Sequence, residues 1–256
     1  MSQTHIETYA KFKIHPGKMD EFKTRLQALV KQVRENEPNT LRYDWFLNEE
    51  RHEAVAMDCY VDEAAMFAHQ KNAGPFHRAV LEVTDMSVEF LGIPTQGALD
   101  AVTKFGPQFF HFDSGLDSQP GAVKFTPKAG TPSTGHIEIY TRFHIHEGKL
   151  EEFKRDGREL LGVVVEKDTG TLRYDWYYDD EKRLCIAMDT YKDAEGMFSH
   201  MKNAHAAHEK LLHLSDMTTE FLGELPPAAK EAVGKYDPYI LPFYIGLKSY
   251  SSGAMT

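Results

Sequence analysis

The stretch HIETYAKFKIHPGKMDEFK at 5–23 returns as HIEIYTRFHIHEGKLEEFK at 136–154, and that recurrence decides how the chain is organised. Working outward along both copies, TLRYDW at 40–45 matches 171–176, and AMDxY at 56–60 matches 187–191. MFxHxKNAxxxH recurs at 66–77 and 197–208, and DMxxEFLG at 85–92 and 216–223. A single offset of 131 residues aligns every match without insertion or deletion. Of 88 aligned positions 41 are identical, far above chance for an internal comparison, so the chain is a tandem duplication. A weaker match continues from TQGALDAVTKFGP at 95–107 to PPAAKEAVGKYDP at 226–238. Residues 117–135 are rich in Pro, Gly, Ser and Thr and read as a linker. The expected domains are therefore 1–116, a repeat with a short helical and extended tail, and 136–256, its copy, joined by that linker.

Within one copy, residues 6–14 alternate as a strand that His15-Pro16-Gly17 ends. Met19, Phe22, Leu26, Leu29 and Val33 then fall at helical spacing over 18–36. TLRYDWFL at 40–47 is a strand with Leu41, Tyr43 and Trp45 on one face and Arg42, Asp44 and Phe46 on the other. NEERH turns the chain, and 53–60 returns as the hairpin partner. Asp62 caps a second helix that Gly74-Pro75 is expected to break or kink, where the second copy has His205-Ala206. A strand over 84–91 closes the unit. The order β-α-β-β-α-β is the ferredoxin-like arrangement, an α+β fold. Helices on one face of such a sheet leave the other apolar and open, so two sheets meeting face to face would bury both. Linking the copies makes that pairing intramolecular, a pseudo-dimer in one chain.

With 256 residues the chain is long enough for two such units, and 41% hydrophobic with 27% charged residues is a globular balance. A formal charge of −10 without a basic run argues against a nucleic-acid partner. The apolar stretches are strand-sized, which predicts no membrane span, and MSQTHIETYAKF lacks the apolar core of a signal peptide. Cys59 and Cys185 occupy different positions of the repeat, which predicts buried reduced thiols and a cytoplasmic protein.

The element order, LRYDW on the second strand, xDxxAMFxH opening the second helix, and DMxxEFLG followed by a PP-x-A helix together resemble the antibiotic biosynthesis monooxygenase domain. The resemblance spans about 90 residues of each half. It implies a dimeric α+β barrel, here formed within one chain, and oxidation of quinols or polycyclic phenols by O₂ with no metal or flavin. The same fold also resembles haem-degrading monooxygenases and a sugar-phosphate isomerase. Haem breakdown is disfavoured, because the first strand lacks the asparagine of those relatives and His69 stands where their tryptophan would be.

His69 and His77, repeated as His200 and His208, are the candidate catalytic residues, since positions 69, 73 and 77 share one helix face. A neutral imidazole there could take a phenolic proton, or each could simply make a structural hydrogen bond. Arg42 and Asp58, with Arg173 and Asp189, are expected as cross-strand ion pairs. Each pair is either structural or a place where the guanidinium stabilises an anionic substrate. Tyr43 and Trp45, with Tyr174 and Trp176, either line a ring-binding pocket or fill the interface between the two sheets. Met66 and Phe67 are expected in the core, as are Met197 and Phe198. The histidine groups His144, His146 and His200, His205, His208 have ligand-like spacing, but Lys13 and Gly74 replace two of their members in the first copy. No metal or cofactor is therefore expected, and no nucleotide-binding or nucleophile-elbow motif occurs. The resulting expectation is a cofactor-independent monooxygenase acting on a small aromatic substrate and O₂, monomeric or homodimeric. A non-catalytic binder of aromatic ligands is the competing expectation.

Overall fold

Strand alternation and helical spacing give the expected elements in both copies. The computed structural model describes residues 6–92, 96–103, 106–116, 136–234 and 238–247, and the 117–135 linker lies outside them. The first repeat runs β1 (Ile6–Ile14), α1 (Met19–Asn36), β2 (Thr40–Asn48), β3 (Glu53–Tyr60), α2 (Glu63–Leu81), β4 (Thr84–Leu91), with α3 (Gln96–Val102) and β5 (Gln108–Gly115) behind it. The second runs β6 (Ile137–Ile145), α4 (Leu150–Lys167), β7 (Thr171–Asp179), β8 (Leu184–Tyr191), α5 (Ala194–Leu214), β9 (Ser215–Leu222). It is followed by α6 (Pro227–Gly234), β10 (Tyr239–Leu241) and β11 (Phe243–Gly246). Each repeat is thus a ferredoxin-like βαββαβ unit of the α+β class.

Two compact units result, and neither is a contiguous stretch of chain. One combines residues 6–109 with 241–247, the other 110–116 with 136–240. The first has the strand order β4-β1-β3-β2-β11 and the second β10-β9-β6-β8-β7-β5. β11 pairs antiparallel with β2, and β5 pairs antiparallel with β7. Each sheet thus takes its last strand from the tail of the other repeat.

On one face of the first sheet, Phe12, Tyr43, Trp45, Leu47 and Ala56 meet Phe22, Leu26, Leu29 and Val33 of α1 and Ala73 and Val80 of α2. The Trp45 ring lies 4.7 Å from Phe12 and 6.3 Å from Phe22. Tyr43 and Trp45 therefore belong to the helix-covered core, which corrects the expectation that they fill a sheet-to-sheet interface. Trp176 has the same place, 5.8 Å from Phe143 and 6.2 Å from Phe153. The copies differ within this core by a compensated exchange. Leu26 and Leu47 of the first become Gly157 and Tyr178 of the second, and the glycine makes room for the larger ring. A Cβ on Gly157 would stand 3.3 Å from the Tyr178 hydroxyl.

The β2–β3 register differs from expectation by one residue. Asn48 faces Glu53, which puts Tyr43, not Arg42, opposite Asp58. The turn takes in four residues, with His52 in the left-handed region at φ 54°, and a one-residue slip moves every side chain to the other face. Arg42 instead pairs along its own strand with Asp44 at 2.8 Å, and Arg173 with Asp175 at 2.7 Å. These pairs are buried, on the face opposite Tyr43 and Tyr174.

Two further expectations are corrected. α2 is not broken at Gly74-Pro75 and runs through to Leu81, since the proline costs one rung of a ladder whose remaining turns hold. Met66 is buried as expected, but Phe67 is exposed, because the next position on a helix turns away from the core. Asp62 caps α2 by accepting from the Ala65 N–H at 2.8 Å, and Asp193 caps α5 through Gly196. Cys59 and Cys185 are free and buried.

Gly246 lies opposite Asp44 and Gly115 opposite Asp175, and a Cβ at either glycine would collide with that carboxylate. The arginine pins the carboxylate, so it cannot move aside without breaking a buried ion pair. Gly115→Ala and Gly246→Ala are each expected to destabilise the protein by about 1–3 kcal/mol in urea unfolding. Gly162→Ala, in the exposed middle of α4 with nothing near its Cβ, should stabilise it by about 0.5–1 kcal/mol.

Candidate active site

Helical spacing brings the predicted histidines together. In the first repeat, His69 on α2 is buried under Tyr43 and Tyr60, whose rings each stand 5.2 Å from the imidazole. His77, two turns along the same helix, is half-buried, and its Nε2 lies 3.0 Å from Nε2 of His69. Two bare lone pairs or two N–H groups cannot face each other at that distance, so a single proton lies between the rings. The Tyr43 hydroxyl stands 3.3 Å from the same His77 Nε2.

Behind His69 is a residue that the sequence reading did not single out. Glu37, between α1 and β2, places Oε2 2.7 Å from Nδ1 of His69 and accepts a second hydrogen bond from the Thr40 hydroxyl at 2.9 Å. The carboxylate fixes the tautomer, with Nδ1 protonated and Nε2 directed toward His77. The result is a continuous chain, Glu37–His69–His77–Tyr43. In the second repeat Asp168 replaces Glu37, 2.7 Å from Nδ1 of His200, with Thr171 in the role of Thr40. The available signal was an acidic residue three positions before TLRYDW in both copies, EPNT and DTGT.

The copies differ at the ends of this chain. Tyr174 reaches His208 Nε2 at 3.4 Å, and the His200 and His208 ring centroids stand 5.3 Å apart against 5.1 Å for His69 and His77, but the rings meet at 58° instead of 77° and His200 Nε2 is buried with no hydrogen-bond partner among the described residues. Asp168 accepts a hydrogen bond on its other oxygen from Asn203 at 2.8 Å, whereas Glu37 Oε1 is buried without one among the described residues. Glu37 also lines a depression of about 170 Å³ walled by Pro38, Ala64, Ala65 and Ala68.

Electrostatics follow from burial. Burial, reinforced by the neighbouring His69, pushes His77 down to about 3. Burial, together with His200 and His205, pushes His208 down to about 4. Both outer rings are therefore neutral at ordinary pH. Burial and the charge of the nearby aspartate hold the phenols of Tyr43 and Tyr174 well above their usual range, so they act as hydrogen-bond donors rather than as phenolates. Asp168 is pulled upward by burial, but hydrogen bonds from His200, Asn203 and Thr171 outweigh this and hold it low.

Asp58 and Asp189 sit beside these chains, on the same sheet face as Tyr43 and Tyr174. Asp58 accepts from Thr8 at 2.9 Å and Tyr60 at 3.1 Å, and burial raises it. The second copy has Ile139 in place of Thr8, so among the described residues Asp189 keeps only the Tyr191 hydroxyl as a donor, at 3.3 Å, and burial raises it to about 7. Arg42 and Arg173 are not brought to the histidines, because they occupy the opposite sheet face. Trp45 and Trp176 lie beside Tyr43 and Tyr174 within the core.

Asp189 gives the protein a specific pH dependence. Its folded value of about 7 lies above the ordinary 3.8, so between the two the folded chain keeps a proton that the unfolded chain has lost. Its contribution therefore makes stability fall as pH rises across that window. Asp189→Asn is expected to remove this contribution, so that melting temperatures of variant and wild type diverge in the variant's favour as pH rises from about 4 to about 7. A difference that stays constant with pH would mean that this carboxyl does not titrate there.

Comparison with known proteins agrees with this architecture. The sequence profile of the antibiotic biosynthesis monooxygenase family matches residues 6–80 and again 137–209. No curated protein matches the chain. Among solved structures, it is similar to a candidate monooxygenase from Fusobacterium nucleatum, with TM-score 0.57 and 13% identity over 86% of this chain and 91% of that one. A candidate monooxygenase from Lactobacillus acidophilus gives 0.54 and 11%, over 85% and 92%. An anthrone oxidase-like protein gives 0.50 and 9%, over 86% and 91%. The likeness in fold thus extends over both repeats. With its domain matched twice and at the same place in each repeat, the chain is a tandem member of the antibiotic biosynthesis monooxygenase family.

Proposed function

We propose that this protein is a cofactor-independent monooxygenase that oxidises a quinol or another electron-rich phenol with O₂. The observation that carries this reading is the buried carboxylate–imidazole pair with a half-buried second imidazole beside it, present in both copies. Such a chain can take a hydroxyl proton from an aromatic substrate and hold it in a desolvated place. In the first repeat His77 accepts the proton at Nδ1 and its Nε2 hands one on to His69, which becomes an imidazolium against the Glu37 carboxylate. The low basicity of the outer ring keeps it neutral, so it passes the proton inward rather than storing it.

The phenolate left behind is electron-rich enough to react with O₂ at an unsubstituted ortho or para carbon (the ortho carbon in a quinol, whose para carbon already carries oxygen), forming a C–O bond and a peroxide anion. The stored proton returns to that peroxide. Loss of water from the C(H)–OOH centre then leaves a quinone carbonyl, so one oxygen atom enters the ring and the other leaves as water. Family membership and the monooxygenase neighbours support the reaction class. The name of the anthrone oxidase-like neighbour is consistent with a polycyclic phenol. The Tyr43 and Tyr174 hydroxyls stay protonated beside the outer imidazoles, and the Arg42 and Arg173 pairs hold the sheet rather than the substrate.

The test is oxygen uptake by metal-stripped protein against hydroquinones, naphthols and anthrone, with the autoxidation rate subtracted. Chelator-insensitive uptake is expected, and His77→Asn combined with His208→Asn should lower kcat by about 10²-fold or more. Full activity in that double variant would remove the histidines from the mechanism. No uptake with any compound, together with a raised melting temperature, would identify a binding protein instead.

A further inference from the structure

We infer that the two repeats are not equivalent, and that a complete proton path exists only in the first. It runs from His77 through His69 to Glu37 and the depression beside it. The inference rests on the relay reading above and deepens it by assigning the work to one copy. Two independent junctions carry it. At the outer end, the His69 and His77 Nε2 atoms share a proton at 3.0 Å, whereas His200 Nε2 is buried with no hydrogen-bond partner among the described residues; the ring centroids are nearly as close in both copies, 5.1 and 5.3 Å, so the difference lies in how the rings are turned, 77° against 58°. At the inner end, Glu37 Oε1 is buried with no donor on it among the described residues, in a residue that lines the depression of about 170 Å³, so its lone pairs are free to receive a proton. Its counterpart, Asp168 Oδ1, is capped by the amide of Asn203 at 2.8 Å, which supplies a hydrogen and accepts none.

Both differences favour the first copy, and both have a source in sequence. Between the two histidines of α2 stands Gly74-Pro75, and Pro75 has no N–H to give the helix two residues before His77. In α5 the same place is His205-Ala206. At the inner end, Asn72 is retained as Asn203, but glutamate has been exchanged for the shorter aspartate, and the amide bonds the carboxylate only in the second copy. The second repeat therefore keeps a carboxylate-oriented imidazole under its aromatic lid without a connected route for the proton to reach it or leave it.

The single variants His77→Asn and His208→Asn test this in the full chain, with naphthohydroquinone as the probe. His77→Asn is expected to lower kcat tenfold or more and His208→Asn no more than about twofold, while equal losses would overturn the inference. A second readout does not depend on turnover. In protein labelled with ¹⁵N-histidine, a low-field imidazole N–H signal from the shared proton should be present and should vanish in His77→Ala and in His69→Gln. His208→Ala should remove no such signal. A shared-proton signal lost on changing His208, or none lost on changing His77, would overturn the inference even if the protein oxidised nothing. Absence of uptake with the expected pattern of signals would count against the oxygenase reading and leave the asymmetry standing.

Discussion

The hydrogen bond between a buried carboxylate and a buried imidazole, Glu37 to His69 and Asp168 to His200, is the constraint on which the arrangement of each repeat turns. It ties the connection after the first helix to the middle of the second, across the edge of the sheet. Neither group tolerates burial alone: an unpaired carboxylate in such surroundings costs several kcal/mol, and an unpaired imidazole loses its tautomer. Once the pair forms, Nδ1 is committed and Nε2 must point along the helix. The Tyr43 and Tyr60 rings close over the imidazole, and the second histidine two turns on meets it because helical geometry puts it there.

A second constraint works on the other face of each sheet. Arg42 with Asp44 and Arg173 with Asp175 are buried pairs whose carboxylates leave no room for a Cβ on the neighbouring strand. That strand comes from the tail of the other repeat and carries a glycine at the critical place, Gly246 or Gly115. The tails are thus structural members of the sheets, and duplication within one chain supplies both with their partners at high effective concentration.

Divergence between the copies has been tolerated where one change offsets another. Leu26 with Leu47 became Gly157 with Tyr178, a loss of volume on the helix matched by a gain on the strand, as close packing demands. Thr8 became Ile139 without such an offset, and the result is electrostatic rather than steric: Asp189 lost a hydroxyl donor and its carboxyl rose to about 7. The relay ends diverged in the same way, by single side chains that add or remove one hydrogen bond while the backbone stays regular.

Much of this was legible in the chain itself. Repetition at one offset, strand alternation and helical spacing determined the tandem βαββαβ organisation, the Asp62 cap and the meeting of His69 with His77, because these are local patterns governed by backbone periodicity. Three matters were decided only by tertiary structure. A turn shorter by one residue moved Asp58 from Arg42 to Tyr43, since register depends on the turn and flips every side chain when it slips. Glu37 and Asp168 joined the site from outside any helix or strand pattern, so no periodicity pointed to them. The placement of Tyr43 and Trp45 under the helices followed from which face the helices cover, and alternation says that two residues share a face without saying which face it is.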